Sequence, residues 1–230
     1  MKIIQTPTII SQYLSQFNIQ EKITSPQNLS FQLRHYNPGE AILKEGNELD
    51  GLYFQVTGRT KVTSSIETGK SLLLRFCHPH AIFGDIELLQ KIEIQSQVEA
   101  VEETSLLFLD KLSVELYLMK DSLFLGELSK HLSYKLQTCT TASRVNLLAT
   151  VEARFASYLL TTRDIHNYFG KEITTNQTEE IASLIGTTHR HLNRIILSFL
   201  KKKIIKKEKK ILIVLDWGFL EELSNGVKYE

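Results

Sequence analysis

The sequence predicts an α+β protein in three parts: an N-terminal double-stranded β-roll of jelly-roll type, a long dimerisation helix, and a C-terminal winged helix-turn-helix. Three observations predict it. Short apolar runs punctuated by glycines fill residues 31–110. An apolar stripe at helical spacing, without proline, fills residues 121–148. Two short amphipathic helices followed by a basic hairpin fill residues 176–215. The corresponding domains are residues 1–120, 121–150 and 151–230.

The first part opens with a short amphipathic helix, because Ile9, Ile10, Tyr13, Leu14 and Phe17 share one face. The runs at 52–56, 61–63, 72–76 and 106–109 then read as strands, with Gly39, Gly46, Gly51, Gly58, Gly69 and Gly84 as turns between them. Many short strands at this spacing close on themselves as a barrel or roll. In the second part Leu125, Leu128, Leu132, Leu136, Cys139 and then Leu147 or Leu148 form a narrow stripe. A stripe of that kind pairs a long helix with a partner, so these leucines and Cys139 are the expected dimer contacts. Thr138, Thr140, Thr141 and Ser143 weaken the middle as a self-standing coiled coil, which leaves a domain core as the other reading.

The third part carries the strongest signal. Val151, Phe155, Tyr158 and Leu159 make the inner face of a helix, and residues 169–171 are expected as a loop or strand passage. Ile181, Ala182, Leu184 and Ile185 give a short apolar helix, and Gly186 follows where a tight turn needs positive φ. Thr187 and Thr188 offer N-caps to a second helix. Its buried stripe is Leu192, Ile195, Ile196, Phe199 and Leu200, at i, i+3, i+4, i+7 and i+8. The opposite face carries His189, Arg190, Asn193 and Arg194, long donors at the end that a recognition helix pushes into the major groove. Two apolar runs, 204–205 and 211–215, flank Lys206, Lys207, Glu208, Lys209 and Lys210, a hairpin tip that reaches phosphates as a wing.

Charge agrees with the pattern. Residues 186–210 hold nine Lys or Arg against one acid, in a chain whose net charge is only +1. Phosphate contacts need local rather than global charge, so one concentrated basic segment points to a polyanion. Thr178, Thr188 and His191 are expected to bond phosphates, with Lys207 and Lys209 among the wing contacts. Arg190, Arg194, His189 and Asn193 are expected at base edges, since Arg pairs naturally with guanine and Asn with adenine.

Other classes are disfavoured. No apolar run is long enough to span a bilayer, and the N-terminus lacks a signal-peptide pattern. Two cysteines make no disulfide framework, so a reducing cytoplasm is expected. No G-x-S-x-G, H-E-x-x-H, P-loop or G-x-G-x-x-G occurs, and the chain is not expected to be an enzyme. No metal site and no cofactor are expected. The Cys77-His78-Pro79-His80 run reads as a turn with exposed imidazoles.

Taken in order, residues 36–46, 52–62, 82–85, 98–109, 136–154 and 186–200 resemble the Crp/Fnr family of bacterial transcription regulators. The resemblance covers nearly the whole chain. It implies a cyclic-nucleotide-binding-type β-roll, a dimer helix, and recognition helices in successive major grooves of a near-palindromic duplex. It also implies contact with RNA polymerase and a small-molecule effector. Family members that bind cyclic nucleotides carry a pocket acid and then an Arg-Ser pair whose arginine neutralises the phosphate. Here the acid position holds Asp85, Glu87 stands where a small residue admits the ligand, and the Arg-Ser position falls at Ile94-Gln95. Asp85, Glu87, Gln95, Lys135, Cys139 and Thr140 are the candidate effector pocket. Lys91 is the one base between Ile82 and Ala100. A buried phosphate without a cationic partner is costly, so the expected effector is something other than a cyclic nucleotide, or none. Two other readings stay open: a cyclic-nucleotide-responsive regulator with an atypical pocket, and a protein-docking roll with a nucleic-acid-binding tail. Iron–sulfur sensors of the family need about four cysteines, which this chain lacks.

Overall fold

The computed structural model describes every residue except Glu67, Thr68, Lys70, Asp164, Ile165, Lys210 and Glu230, together with all side chains but that of Gln20 in the elements described. The chain divides into two compact units. One holds Met1–Ser71 and Phe76–Tyr134, the other Leu72–Arg75 and Lys135–Glu230.

The first unit is built on antiparallel strands. One sheet runs in the order β1 (Lys2–Ile4), β2 (Gln32–Tyr36), β9 (Thr104–Asp110), β4 (Gly51–Thr57), β7 (Ile82–Phe83). The other runs β3 (Ala41–Leu43), β8 (Gln97–Ala100), β5 (Thr60–Ser65), β6 (Ser71–Cys77), the last of which gives its residues Leu72–Arg75 to the second unit. All four strands read from the sequence lie inside these elements. The β4–β9 pair is the centre, with Leu52 opposite Leu109 and Phe54 opposite Leu107. Both strands are buried along nearly their whole length, which is why they read as continuous apolar runs rather than alternations. Gly51 is required there: a Cβ on it would lie 2.1 Å from the carbonyl oxygen of Leu109.

Helix α1 (Pro7–Gln16) places Ile10, Tyr13 and Leu14 against the roll core, and Phe17 beyond its end is buried within it. Helix α2 (Asp85–Gln90) follows β7, and α3 (Lys111–Leu116) follows β9. The long helix α4 spans Ser122–Leu148, 27 residues and about 40 Å. Asp121 begins it. Its Oδ1 accepts from the N–H groups of Leu123 and Phe124 at 3.0 and 3.3 Å, and its Oδ2 from that of Thr24 at 2.6 Å. Burial works against the charge on Asp121, but the N–H groups of Thr24 and Phe124 outweigh it and hold the carboxyl below its usual range. A depressed carboxylate contributes stability above the ordinary pKa near 4, and that stability is lost as pH falls through the native value. Asp121→Ala is therefore expected to cost the first unit about 0.5–2 kcal/mol at neutral pH and to flatten the acid limb of its stability curve. Urea titrations between pH 3 and pH 7 measure both.

The stripe expected along α4 divides in two. Phe124 and Leu128 are in the roll core, and Leu125 and Leu132 pack partly against it. Leu136, Leu147 and Leu148 are 69%, 81% and 81% exposed, and Cys139 is exposed too. The first part of the stripe serves the roll, and its later leucines are exposed.

The second unit contains α5 (Val151–Thr161), α6 (Tyr168–Ile173), α7 (Thr178–Leu184), α8 (His189–Lys201), the hairpin β10 (Ile205–Glu208) and β11 (Ile211–Val214), and α9 (Trp217–Ser224). Phe155, Tyr158, Ile181, Leu192, Ile195, Ile196, Phe199 and Leu220 are buried in it. The expected loop or strand passage at 169–171 is instead helix α6. Asn167 caps it, with its Oδ1 accepting from Gly170 N–H at 2.9 Å. Gly170 does not break the chain there. It admits a close approach, since a Cβ on it would lie 2.6 Å from the carbonyl oxygen of Thr161. In the hairpin, Lys206, Lys207 and Glu208 belong to strand β10 rather than to the tip. The tip begins at Lys209, which turns with φ +54°. Lys210 lies outside the described residues.

Candidate nucleic-acid interface

Helix α8 begins at the cap the sequence indicated. Thr188 is extended, and its Oγ1 accepts from His191 N–H at 3.2 Å. Leu192, Ile195, Ile196 and Phe199 are at most 4% exposed. Leu200 is only partly covered, so the buried stripe ends one position early. His189, Arg190, His191 and Arg194 are exposed and Asn193 is half-buried, all on the side away from that stripe. The two helices α7 and α8 meet at a tight turn in which Gly186 has φ +65°, Gly186 N–H donates to Ser183 O at 3.1 Å and Thr187 N–H to Ala182 O at 2.8 Å. That is the left-handed position for which glycine was expected.

Three side chains that the sequence reading missed hold this turn. Arg154 donates through Nε to Ala149 O at 2.8 Å, and through one terminal nitrogen to Ile185 O and Gly186 O, each at 3.2 Å. Asn146 Nδ2 donates to Leu184 O at 3.1 Å, and its Oδ1 accepts from Tyr229 Oη at 2.6 Å. The last carbonyls of a helix lack intrahelical donors, and here a guanidinium and an amide supply them. The end of α4, the start of α5 and the turn of the two-helix motif thereby form one hydrogen-bonded block. Burial pushes the Tyr229 phenol up, against the lowering influence of Arg154, so the hydroxyl stays a donor throughout the physiological range.

At the N-terminal end of α8 the side chains are already joined. His189 Nε2 lies 2.8 Å from Asn193 Nδ2, 3.1 Å from Thr178 Oγ1 and 3.1 Å from Glu179 Oε1. Thr178, Thr188, His189, Asn193 and the arginines thus share one exposed end of the helix pair, with Glu179 as an acid not anticipated there. On the hairpin, Lys206 is paired with Glu208 at 2.7 Å, while Lys207 and Lys209 are exposed.

The effector candidates belong to two different units. Asp85, Glu87 and Gln95 lie in the first unit; Lys135, Cys139 and Thr140 lie in the second. Asp85 and Glu87, both on α2, are 1% and 8% exposed. Glu87 Oε1 accepts from the backbone N–H of Gln95 at 3.2 Å, and the Gln95 side chain turns back to Glu93 O. Asp85 Oδ2 lies 4.0 Å from His131 Nε2. Of the cysteines, Cys77 is buried and Cys139 exposed. His80 sits at a turn with φ +84°, its ring 4.6 Å from that of Phe17, and burial followed by the Lys22 charge lowers its pKa. Among the described residues no group of three or more His, Cys, Asp or Glu is placed to hold a metal ion. No helix of the described residues is long and apolar enough to cross a membrane.

Two families match in tandem: residues 33–121 the Cyclic nucleotide-binding domain, and residues 153–223 the Crp-like helix-turn-helix domain. The chain belongs to the Crp/Fnr family. Within that family it is 26% identical over 178 residues to the Regulatory protein YeiL of Escherichia coli O157:H7, covering 77% of this chain and 78% of that one. It is 23% identical over 197 residues to the Cyclic AMP receptor protein of Thermus thermophilus, covering 86% and 90%. The fold is that of a solved CRP-family transcriptional regulator from Thermus thermophilus, with a TM-score of 0.67 at 20% identity over 86% of this chain and 100% of the other. The chain therefore has the fold and the domains of a Crp/Fnr-type transcription regulator.

Proposed function

We propose that the chain is a homodimeric, sequence-specific regulator that binds a near-palindromic DNA duplex and takes no cyclic nucleotide as effector. The observation that carries the DNA reading is the exposed end of α8. A capped helix with one face fully buried presents Arg190, Asn193 and Arg194 as donors, with His189 beside them and Lys207 and Lys209 on the following hairpin. Thr178, Thr188 and His191 stand where phosphate oxygens pass. Phosphates fix the register of such a helix and base edges give it sequence preference. Residues 1–120 act as the sensor, residues 121–150 as the dimer helix and hinge, and residues 151–230 as the DNA head. Two such heads reach half-sites about 34 Å apart, and RNA polymerase in the bacterial cytoplasm reads the occupied site.

Pairing of the long helix is supported by Leu136 and Leu147, which are eleven positions apart and so on one side of the helix, and largely exposed. The effector reading is supported by Glu87. The amide of Gln95 already has a carboxylate on it, and a phosphate brought within about 4 Å of that carboxylate would meet about 4 kcal/mol of repulsion at an effective dielectric near 20.

Selection of bound duplexes from a random library, with purified protein and no added ligand, tests the function. A symmetric motif with half-sites one helical turn apart is the expected result. Enrichment no better than non-specific binding, with and without small molecules from a cell extract, overturns it. Arg190→Ala is expected to weaken binding to the selected site by about 1–3 kcal/mol and to relax one base pair of each half-site. Fluorescence anisotropy on the site and on its single-base variants measures both. Adding cyclic AMP or cyclic GMP is expected to leave the affinity and the melting temperature unchanged.

A further inference from the structure

The network around His189 singles out one residue of the recognition helix from its neighbours. An imidazole nitrogen carries one lone pair or one proton, yet Nε2 of His189 has three polar neighbours within 3.1 Å. Thr178 and Glu179 approach it from the first turn of α7, and Asn193 approaches from one turn further along α8. The ring is thereby gripped between the two helices of the motif. With a lone pair on Nε2 the bonds open to it are those from Asn193 and Thr178, and the ring cannot swing toward a base without giving them up. Asn193, in contrast, has spare capacity. With one amide hydrogen donated to Nε2, it keeps its second amide hydrogen and its carbonyl oxygen. Those are the two groups that a bidentate contact to adenine needs, a donor to N7 and an acceptor from N6.

We propose that His189 is a positioning residue for operator recognition: set beside Thr178 on the first turn of α7, its Nε2 lone pair accepts one amide hydrogen of Asn193 and fixes that amide plane, and Asn193 reads the base pair. The inference rests on the DNA-binding reading given above and assigns a division of labour within it. Fixing the amide plane matters because a freely rotating carboxamide presents donor and acceptor in either order, and either order fits some base edge. A held amide fits one.

Two measurements test this. The first is site selection with wild type, Asn193→Ala, His189→Ala, His189→Gln and the Asn193→Ala/His189→Ala double variant. Asn193→Ala is expected to erase the preference at one base pair of each half-site, a preference of roughly 5- to 150-fold for a bidentate contact. His189→Ala is expected to reduce the preference at that same base pair to under about threefold, with the salt dependence of binding unchanged. The double variant should lose nothing more than Asn193→Ala alone, and His189→Gln, which can still accept the amide hydrogen, should recover part of the preference. Loss at a different base pair in His189→Ala would overturn the proposal, because His189 would then be reading a base itself. A uniform loss of affinity with a salt slope lower by about one would also overturn it, as a phosphate contact.

The second measurement needs no DNA. In the free protein the side-chain amide resonances of Asn193 should be displaced from those of a solvated amide in wild type. They should collapse toward that position in His189→Ala and be partly displaced again in His189→Gln. Unchanged resonances in His189→Ala overturn the positioning role. A wild type that selects no motif brings down the DNA reading alone, and the amide resonances then decide the positioning.

Discussion

Phe199→Ala is expected to remove about 3–5 kcal/mol from the stability of the C-terminal unit, the largest single effect open to a side chain of the recognition helix. Phe199 is 1% exposed, and its ring lies 5.7 Å from that of Phe155 and 6.2 Å from that of Phe219. Those rings come from α5, α8 and α9, so the truncation empties the point at which three helices meet. The cost has two sources: the lost transfer of the ring from water, and the cavity that remains because α5 and α9 cannot both close on it. Small domains have about 5–15 kcal/mol in all, so the variant should be partly unfolded near physiological temperature. The expected signature is a lowered first transition in a calorimetric scan with the transition of the roll unchanged. Phe199→Leu, which refills most of the volume, should recover more than half of the loss. A variant as stable as wild type would mean that the three helices do not share this core.

Arg154→Ala is expected to cost about 2–4 kcal/mol and to weaken operator binding by more than tenfold. The guanidinium serves carbonyls of Ala149, Ile185 and Gly186 at once. Hydrogen bonds from a charged donor are stronger than neutral ones, and carbonyls deprived of a partner keep their desolvation penalty. Arg154 is half-buried, so water offsets part of the loss and holds it below the sum of three separate bonds. The effect on binding follows from what those carbonyls do. Ile185 and Gly186 form the turn that sets α8 against α7, and Ala149 lies at the junction of α4 and α5. Arg154→Lys keeps the charge but has no planar fork, so it should recover little. Parallel measurements of urea unfolding and operator affinity check both halves of the expectation.

The elements that the sequence revealed are those whose residues speak over short distances. The stripe of α8, the cap at Thr188 and the positive φ of Gly186 each depend on neighbours within about one to two turns, and all three stand in the structure, the stripe up to Phe199. The strands at 52–56 and 106–109 were legible as apolar runs for a similar reason. Helix α6 was not, because Gly170 reads locally as a breaker while its real constraint is a carbonyl of Thr161 nine residues away. The division of the α4 stripe was hidden in the same way. Leu128 and Leu136 look alike along the chain, and only the roll packed against the first turns makes them different. At the interface, the charged donors could be named from spacing alone. The network that orients them could not: Glu179 meets His189 across a turn, Arg154 meets Ile185 from 31 positions away, and Tyr229 meets Asn146 from 83. Side-chain contacts that are set by the fold rather than by spacing leave no periodic trace.

The bond from Gln95 N–H to Glu87 has a consequence for how such a roll could change its allegiance over time. A descendant that exchanged Glu87 for a small residue would gain room for an anion but would first lose the partner of a partly buried amide. A descendant that gained an arginine near Gln95 would find it neutralised by Glu87 before any ligand arrived. Neither step alone moves the roll toward a phosphate-bearing signal, and each carries an immediate cost. If the effector reading proposed above holds, two coordinated substitutions separate this roll from that chemistry, and drift by single changes should keep it on its present side of the divide.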